Sequence, residues 1–219
     1  MCVNYTPSRR DQLESRFQVN TDDLPDWKPE VWQDYQAPII KPDQNGQRSV
    51  VLANFGLIAR SEFTGGRKPY STMNARAETI AQLPSFAPHW QRRQLCLVPM
   101  QYFCEPDYES GRPQRWKISA TSGNDFAVAG LYRSRRTADG QLLHSFTQIT
   151  VNAGQHPLMS RFHPPQDEKR SLVVIAEPDY DSWLHCTDMQ LASRMLRLPP
   201  DDWLCGEPLD PLPPQLSLF

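Results

Sequence analysis

The chain has 219 residues, 39% of them hydrophobic and 22% charged, with a formal net charge of −2. That length can bury a full core, which excludes a disordered or fibrous chain, and the slightly negative balance excludes nucleic-acid binding by bulk charge. No apolar run reaches membrane-spanning length and no signal-peptide pattern is present, so a cytoplasmic protein without membrane contact is expected.

In chain order, PSRRDQLESRF predicts a short helix with Ser8 as its cap and Leu13 and Phe17 on one face. From Thr21 to Asp43, prolines, aspartates and aromatics predict an irregular segment packed by Trp27, Trp32 and Tyr35. SVVLANFGLIA reads as a buried strand, and SEFTGGRKPYS as a loop with Arg67 and Lys68 at an exposed tip. AETIAQL predicts a helix that Pro84 ends. LCLVPM, RWKISA, FAVAGLY, SFTQITVN and SLVVIA read as further strands, and EPDYDSWLHC as a helix with an acidic first turn. Strands do not alternate with long helices, so the expected class is α+β: a single domain with a curved, mainly antiparallel sheet or open barrel and flanking short helices. The domain is expected over residues 1–206. Residues 207–219, EPLDPLPPQLSLF, read as a proline-rich spacer that presents an apolar peptide.

The five cysteines form no CxxC pair and lack metal-ligand spacing, so free thiols are expected, four of them as core residues, with no metal and no cofactor. Cys2 differs from the others. Once the initiator methionine is removed, it carries a free α-amino group beside its thiol, a pair of nucleophiles suited to aldehydes.

Three more groups carry potential chemistry. In NARAE, Asn74, Arg76 and Glu78 share one face if the backbone is extended, either as a site or as a solvated strand edge. Glu105 ends the apolar run LCLVPMQYFCE, where burial would raise its pKa toward neutrality; alternatively the strand has ended and it faces water. His163 lies in MSRFHPPQDEKRS, fixed between Phe162 and two prolines, either as a proton shuttle or as a loop histidine without a role. His89, His144, His156 and His185 have less context.

Taken in order, Cys2 after the initiator, YQAP at 35–38, FGLIA at 55–59, NARAET at 74–79, the strand ending in Glu105, and His163 before KRSLVVI resemble the SOS-response-associated peptidase (SRAP) family from Cys2 to about Trp183. The resemblance implies a covalent sensor of abasic sites in single-stranded DNA, acting in the SOS response and associated with the nucleoid during damage. By position, Cys2 is the crosslinking residue, Glu105 and His163 are its acid and base partners, Asn74 orients the N-terminus and the sugar, and Arg76 holds a phosphate. Arg67, Lys68, Arg161 and Arg170 are further candidate DNA contacts, and Phe63 and Tyr70 candidate wedges between bases. Arg133, Arg135 and Arg136 read as a solvated hairpin.

The chain departs from the family pattern at Val3 and Asn4, where glycine and arginine are common, and at HPPQDEKRS, which inserts residues before Arg170. Separately from the family, the terminal QLSLF resembles a sliding-clamp-binding peptide, with Gln215, Leu216, Leu218 and Phe219 as its contacts. A Schiff base also permits lyase-like cleavage, and the chain itself could remove Met1. Two other readings stay open: a cysteine peptidase, and a non-catalytic single-strand binder recruited to the clamp. A monomer is expected.

Overall fold

The structure, a computed structural model, describes residues 2–63 and 69–209. Among the described residues, eleven strands join one sheet. They are β1 (Tyr5–Pro7), β2 (Gln36–Pro42), β3 (Arg48–Phe55), β4 (Asn74–Arg76), β5 (Leu95–Asp107), β6 (Gln114–Ala120), β7 (Phe126–Arg136), β8 (Leu142–Asn152), β9 (Arg170–Leu172), β10 (Val174–Ile175) and β11 (Leu204–Pro208). The α-helices are short: α1 (Arg10–Ser15), α2 (Ala87–Gln91), α3 (Tyr180–Leu184) and α4 (Met189–Met195).

The pairings β7–β8, β8–β3, β3–β2, β2–β5 and β5–β7 return to their start and close a five-stranded barrel. Closure removes the open edges that a flat sheet of these strands would expose. Only β3–β8 and β4–β8 are parallel, so the expected α+β class with a curved, mainly antiparallel sheet describes the fold. β1 lies along β5, β4 and β9 lie along β8, and β6 extends the sheet from β5 to β11.

Period-two alternation gives the sheet two cores. Leu95, Leu97, Ala129, Leu131 and Ile149 face one core, which the helices cover with Leu13, Trp90, Trp183 and Ala192, and the turn after α1 with Phe17. Val98, Val128, Phe55, Phe146 and Phe103 face the other, which also contains Cys2 and Tyr5. There Tyr5 meets Phe55 edge-on at 5.5 Å, and Phe55 stacks on Phe146 at 5.2 Å.

Several sequence-based expectations need correction. Part of the segment expected to be irregular is strand β2. It tolerates Pro38 and Pro42 because it meets β5 at one position, Ile40↔Leu97, which leaves a side without ladder bonds. Trp32 and Tyr35 stay largely exposed, at 39% and 37%. No helix forms over 77–83. The stretch is a series of turns tied to β8, with Ala77 N–H donating to Thr150 O at 2.9 Å and Glu78 held by Arg170. Arg9, not Ser8, precedes α1, with no side-chain cap. Cys205 is exposed, while Cys96, Cys104 and Cys186 are buried. Among the described residues no helix is long and apolar enough to cross a membrane.

Candidate active site

Three backbone features bring distant residues to Cys2. β1 runs antiparallel to β5, with Tyr5 opposite Phe103, and Cys104 N–H donates to Asn4 O at 3.0 Å, which lays the N-terminus along the end of β5. β4 lies parallel to β8, setting Asn74 level with Gln148. The loop before β9 is pinned to β5 by the bridge Asp107↔Phe162 and by His163 N–H donating to Pro106 O at 3.1 Å.

Cys2, Asn74, Glu105 and His163 converge at this junction, and all four are buried. Asn74 Nδ2 donates to the Cys2 carbonyl at 2.6 Å, and Cys2 Sγ donates to Asn4 O at 3.3 Å. β5 continues through Glu105 instead of ending before it, so Glu105 is 2% exposed and the water-facing alternative does not hold. Burial pushes its carboxyl up to about 7. Burial also pushes the Cys2 thiol well above its ordinary value, with the charge of Glu105 adding to the shift.

His163 Nδ1 lies 3.4 Å from Glu105 Oε2, and its Nε2 lies 3.1 Å from the Arg170 carbonyl. A carbonyl only accepts, so Nε2 carries hydrogen and Nδ1 of the neutral ring faces the carboxyl. Burial lowers His163 to about 4, so near pH 7 the imidazole is neutral and the mobile proton of the pair belongs to Glu105. His163 holds a left-handed backbone, φ 71°, steadied by Lys169 Nζ donating to its carbonyl at 2.8 Å.

The expected DNA contacts divide. Arg76 is half-exposed at this rim and pairs with Glu168 at 2.9 Å. Arg161 stacks over Trp116 at 4.0 Å and pairs with Asp107 and Glu109, each at 2.6 Å. Arg170, expected at the DNA surface, is instead buried. Its guanidinium is taken up by Glu78, Glu168 and the Thr150 carbonyl, and it reaches the site through its own carbonyl. Phe63 and Tyr70 meet edge-on at 4.8 Å, with Tyr70 exposed. Arg67 and Lys68, and Gln215, Leu216, Leu218 and Phe219, lie outside the described residues. In the hairpin joining β7 to β8, Arg133 pairs with Glu62 at 2.9 Å.

Sequence reading missed Arg115. It bonds Asn4 Oδ1 and Glu30, and lies 3.3 Å from Cys104 Sγ. With Val3, Trp32 and Pro113 it lines a cavity of about 220 Å³ that opens onto Glu105. A guanidinium thus stands at the site although position 4 is asparagine. Nothing local in QRWKISA marks it; only the register Pro106↔Arg115 brings it there. A larger apolar groove, about 500 Å³ between β10, α4 and Trp203, contains none of these residues.

A family profile described as SOS response associated peptidase (SRAP) matches residues 1–209. The chain belongs to the SRAP family. Among solved structures, this SRAP chain superposes on a protein from Bordetella bronchiseptica with TM-score 0.82 and 25% identity, covering 95% of this chain and 100% of that one. A protein from Bacteroides thetaiotaomicron matches with TM-score 0.76 and 18% identity over 95% of this chain and 92% of its own, which speaks for the fold alone. Curated relatives include abasic site processing protein YobE of Bacillus subtilis, 36% identical over 53% of this chain and 50% of that protein. Abasic site processing protein YoqW, from the same organism and from Bacillus phage SPbeta, is 34% identical over 53% of this chain and 49% of its own. The matched region spans about half the length of these relatives.

Proposed function

We propose that this SRAP chain captures abasic sites in single-stranded DNA by forming a thiazolidine with Cys2 after Met1 is removed. The ring-opened abasic sugar presents an aldehyde. The Cys2 α-amine adds to it and water leaves, giving an imine; the thiol sulfur then bonds to the imine carbon while the thiol proton passes to nitrogen, closing a five-membered ring. Relatives named for abasic site processing give the substrate class.

The observation that supports the reading is the convergence on Cys2 of Asn74 and a carboxyl–imidazole pair 3.4 Å apart. An α-amine of ordinary pKa about 7.7–8.0 can give a proton to a carboxylate poised near 7 with little penalty. Neutral His163 faces the Glu105 carboxyl with Nδ1 and holds it in place, and Glu105, carrying the proton taken from the amine, gives it to the sugar oxygen as the ring opens. Asn74 fixes the Cys2 carbonyl and hence the direction of the amine. Arg76 and Arg161, with Arg67 and Lys68, supply the phosphate contacts, and Phe63 and Tyr70 the stacking surface. Recruitment to the sliding clamp through QLSLF is a further part of this proposal.

A cysteine peptidase is the second reading. It needs a thiolate, favoured by a lowered thiol pKa, whereas burial and Glu105 raise that of Cys2. The raised value favours the amine as first nucleophile. Acetylating the α-amine separates the readings: it abolishes aldehyde capture on the first and leaves peptide hydrolysis on the second.

A further inference from the structure

Four neighbouring strands carry one row of residues at a single level. Cys96 on β5 pairs with Gly130 on β7, Gly130 with Gln148 on β8, and Gln148 with Asn74 on β4. Alternation along β8 puts Gln148 on the face of Phe146, in the core that contains Cys2, and turns it away from Ile149 in the other core. The row is tight at Gly130, where an added Cβ would stand 2.8 Å from Cys96 Sγ and 2.9 Å from the Thr147 carbonyl.

Gln148 is fully buried, and neither Oε1 nor Nε2 has a hydrogen-bond partner among the described residues. Beside it on the parallel strand, Asn74 Oδ1 is also buried and unpartnered, while Nδ2 of the same carboxamide donates to Cys2. A buried amide without partners destabilises a fold that methionine or leucine would fill at no such penalty. The two carboxamides stand on strands spaced about 4.8 Å apart, and the acceptor left over on Asn74 matches the donor left over on Gln148.

We infer that Gln148 is a positioning residue for Asn74, its Nε2–H donating to Asn74 Oδ1 in the reacting state. A carboxamide is nearly symmetric in shape, and rotation by half a turn would set Oδ1 against the Cys2 carbonyl oxygen, two acceptors facing each other. A donor behind Oδ1 forbids that rotation and keeps Nδ2 aimed at Cys2. The readout of this inference rests on Cys2 reacting with aldehydes, as proposed above.

The test is a double-mutant cycle on protein verified by mass to begin at Cys2, using Gln148→Met, Asn74→Ala and the pair. Thiazolidine formation is timed with glyoxylate, which probes Cys2 without DNA, and with single-stranded DNA carrying one abasic site. Gln148→Met should slow both reactions about tenfold in the natural background and less than about twofold when Asn74 is already alanine. Its thermal midpoint should be unchanged or raised. Equal slowing in both backgrounds marks a merely structural residue and overturns the inference, as does no slowing at all. A Gln148→Met or Gln148→Leu protein that fails to fold also overturns it, because an apolar side chain replacing an unpartnered amide should fold at least as well. Parent protein that reacts with glyoxylate but not with DNA contradicts the abasic-site reading and leaves the cycle fully readable.

Discussion

At the scale of single residues, Glu105 carries two consequences of its burial. Its carboxyl stands near 7 in the folded protein against an ordinary value of 4.5, so the carboxylate form that accepts the amine proton accumulates as pH rises through about 7. The pH profile of capture should therefore rise through about 7, and Glu105→Gln should remove that limb and keep only the rise that belongs to the amine. Stability moves the other way. An acid whose folded pKa lies above its unfolded value loses stability as pH rises from the unfolded value through the folded one. Glu105→Gln should then stabilise the protein at pH 8 by on the order of 3 kcal/mol and change little at pH 4, measured by urea denaturation. His163 has the opposite sign: its folded pKa of about 4 lies below the ordinary 6.5, so it favours the fold above 6.5 and loses that contribution as pH falls through 4. Between about 4.5 and 6.5 the two slopes oppose, and Glu105→Gln should expose the histidine slope alone.

Among the elements, β9 and the turns after β4 are joined by Arg170, whose buried guanidinium spans Glu78, Glu168 and Thr150 while its carbonyl fixes the His163 tautomer. Arg170→Met leaves Glu78 and Glu168, both partly exposed, without their shared partner. We expect a loss of about 2–3 kcal/mol in urea unfolding, and slower capture because the backbone that carries the carbonyl bonded to His163 is no longer braced by the guanidinium. A variant of unchanged stability would show that the brace contributes nothing. Much of this was legible from the residues. The strand pattern gave the sheet, and NARAE on an extended backbone put Asn74 and Arg76 where they stand. Glu105 was legible as a residue but not as a buried one, because nothing in CEPDY tells whether β5 continues. The turns over 77–83 were hidden because helix propensity in AETIAQL is overruled by tertiary bonds to Thr150 and Arg170. Arg115 and Gln148 were out of reach, since their place depends on strand register that no local pattern specifies.

Across the whole molecule, the net charge of −2 means that on the proposed function single-strand affinity would rest on a few cations such as Arg76. Each phosphate neutralised on a single strand contributes roughly −0.7 to the slope of log affinity against log salt, so a slope of about −2 to −3 is expected before crosslinking. Arg76→Ala should reduce it by about 0.7; a variant with the parent slope would remove Arg76 from the DNA interface. At the other end of the chain, β11 ends at Pro208 and Leu209 N–H donates to Arg115 O at 2.8 Å. A chain ending at Leu209 should keep its thermal midpoint and its capture rate and lose binding to a sliding clamp, measured by surface plasmon resonance. Retained clamp binding would assign that contact elsewhere.

The central claim is that the α-amine and thiol of Cys2 act together on an aldehyde. The most direct measurement mixes protein verified by mass to begin at Cys2 with single-stranded DNA containing one abasic site and resolves the product on a denaturing gel, beside Cys2→Ala and α-acetylated protein. The account predicts a band that forms without borohydride, has the mass of protein plus DNA less one water, and is absent from both controls. A band that persists in the acetylated protein, or no band from protein known to begin at Cys2, would contradict it.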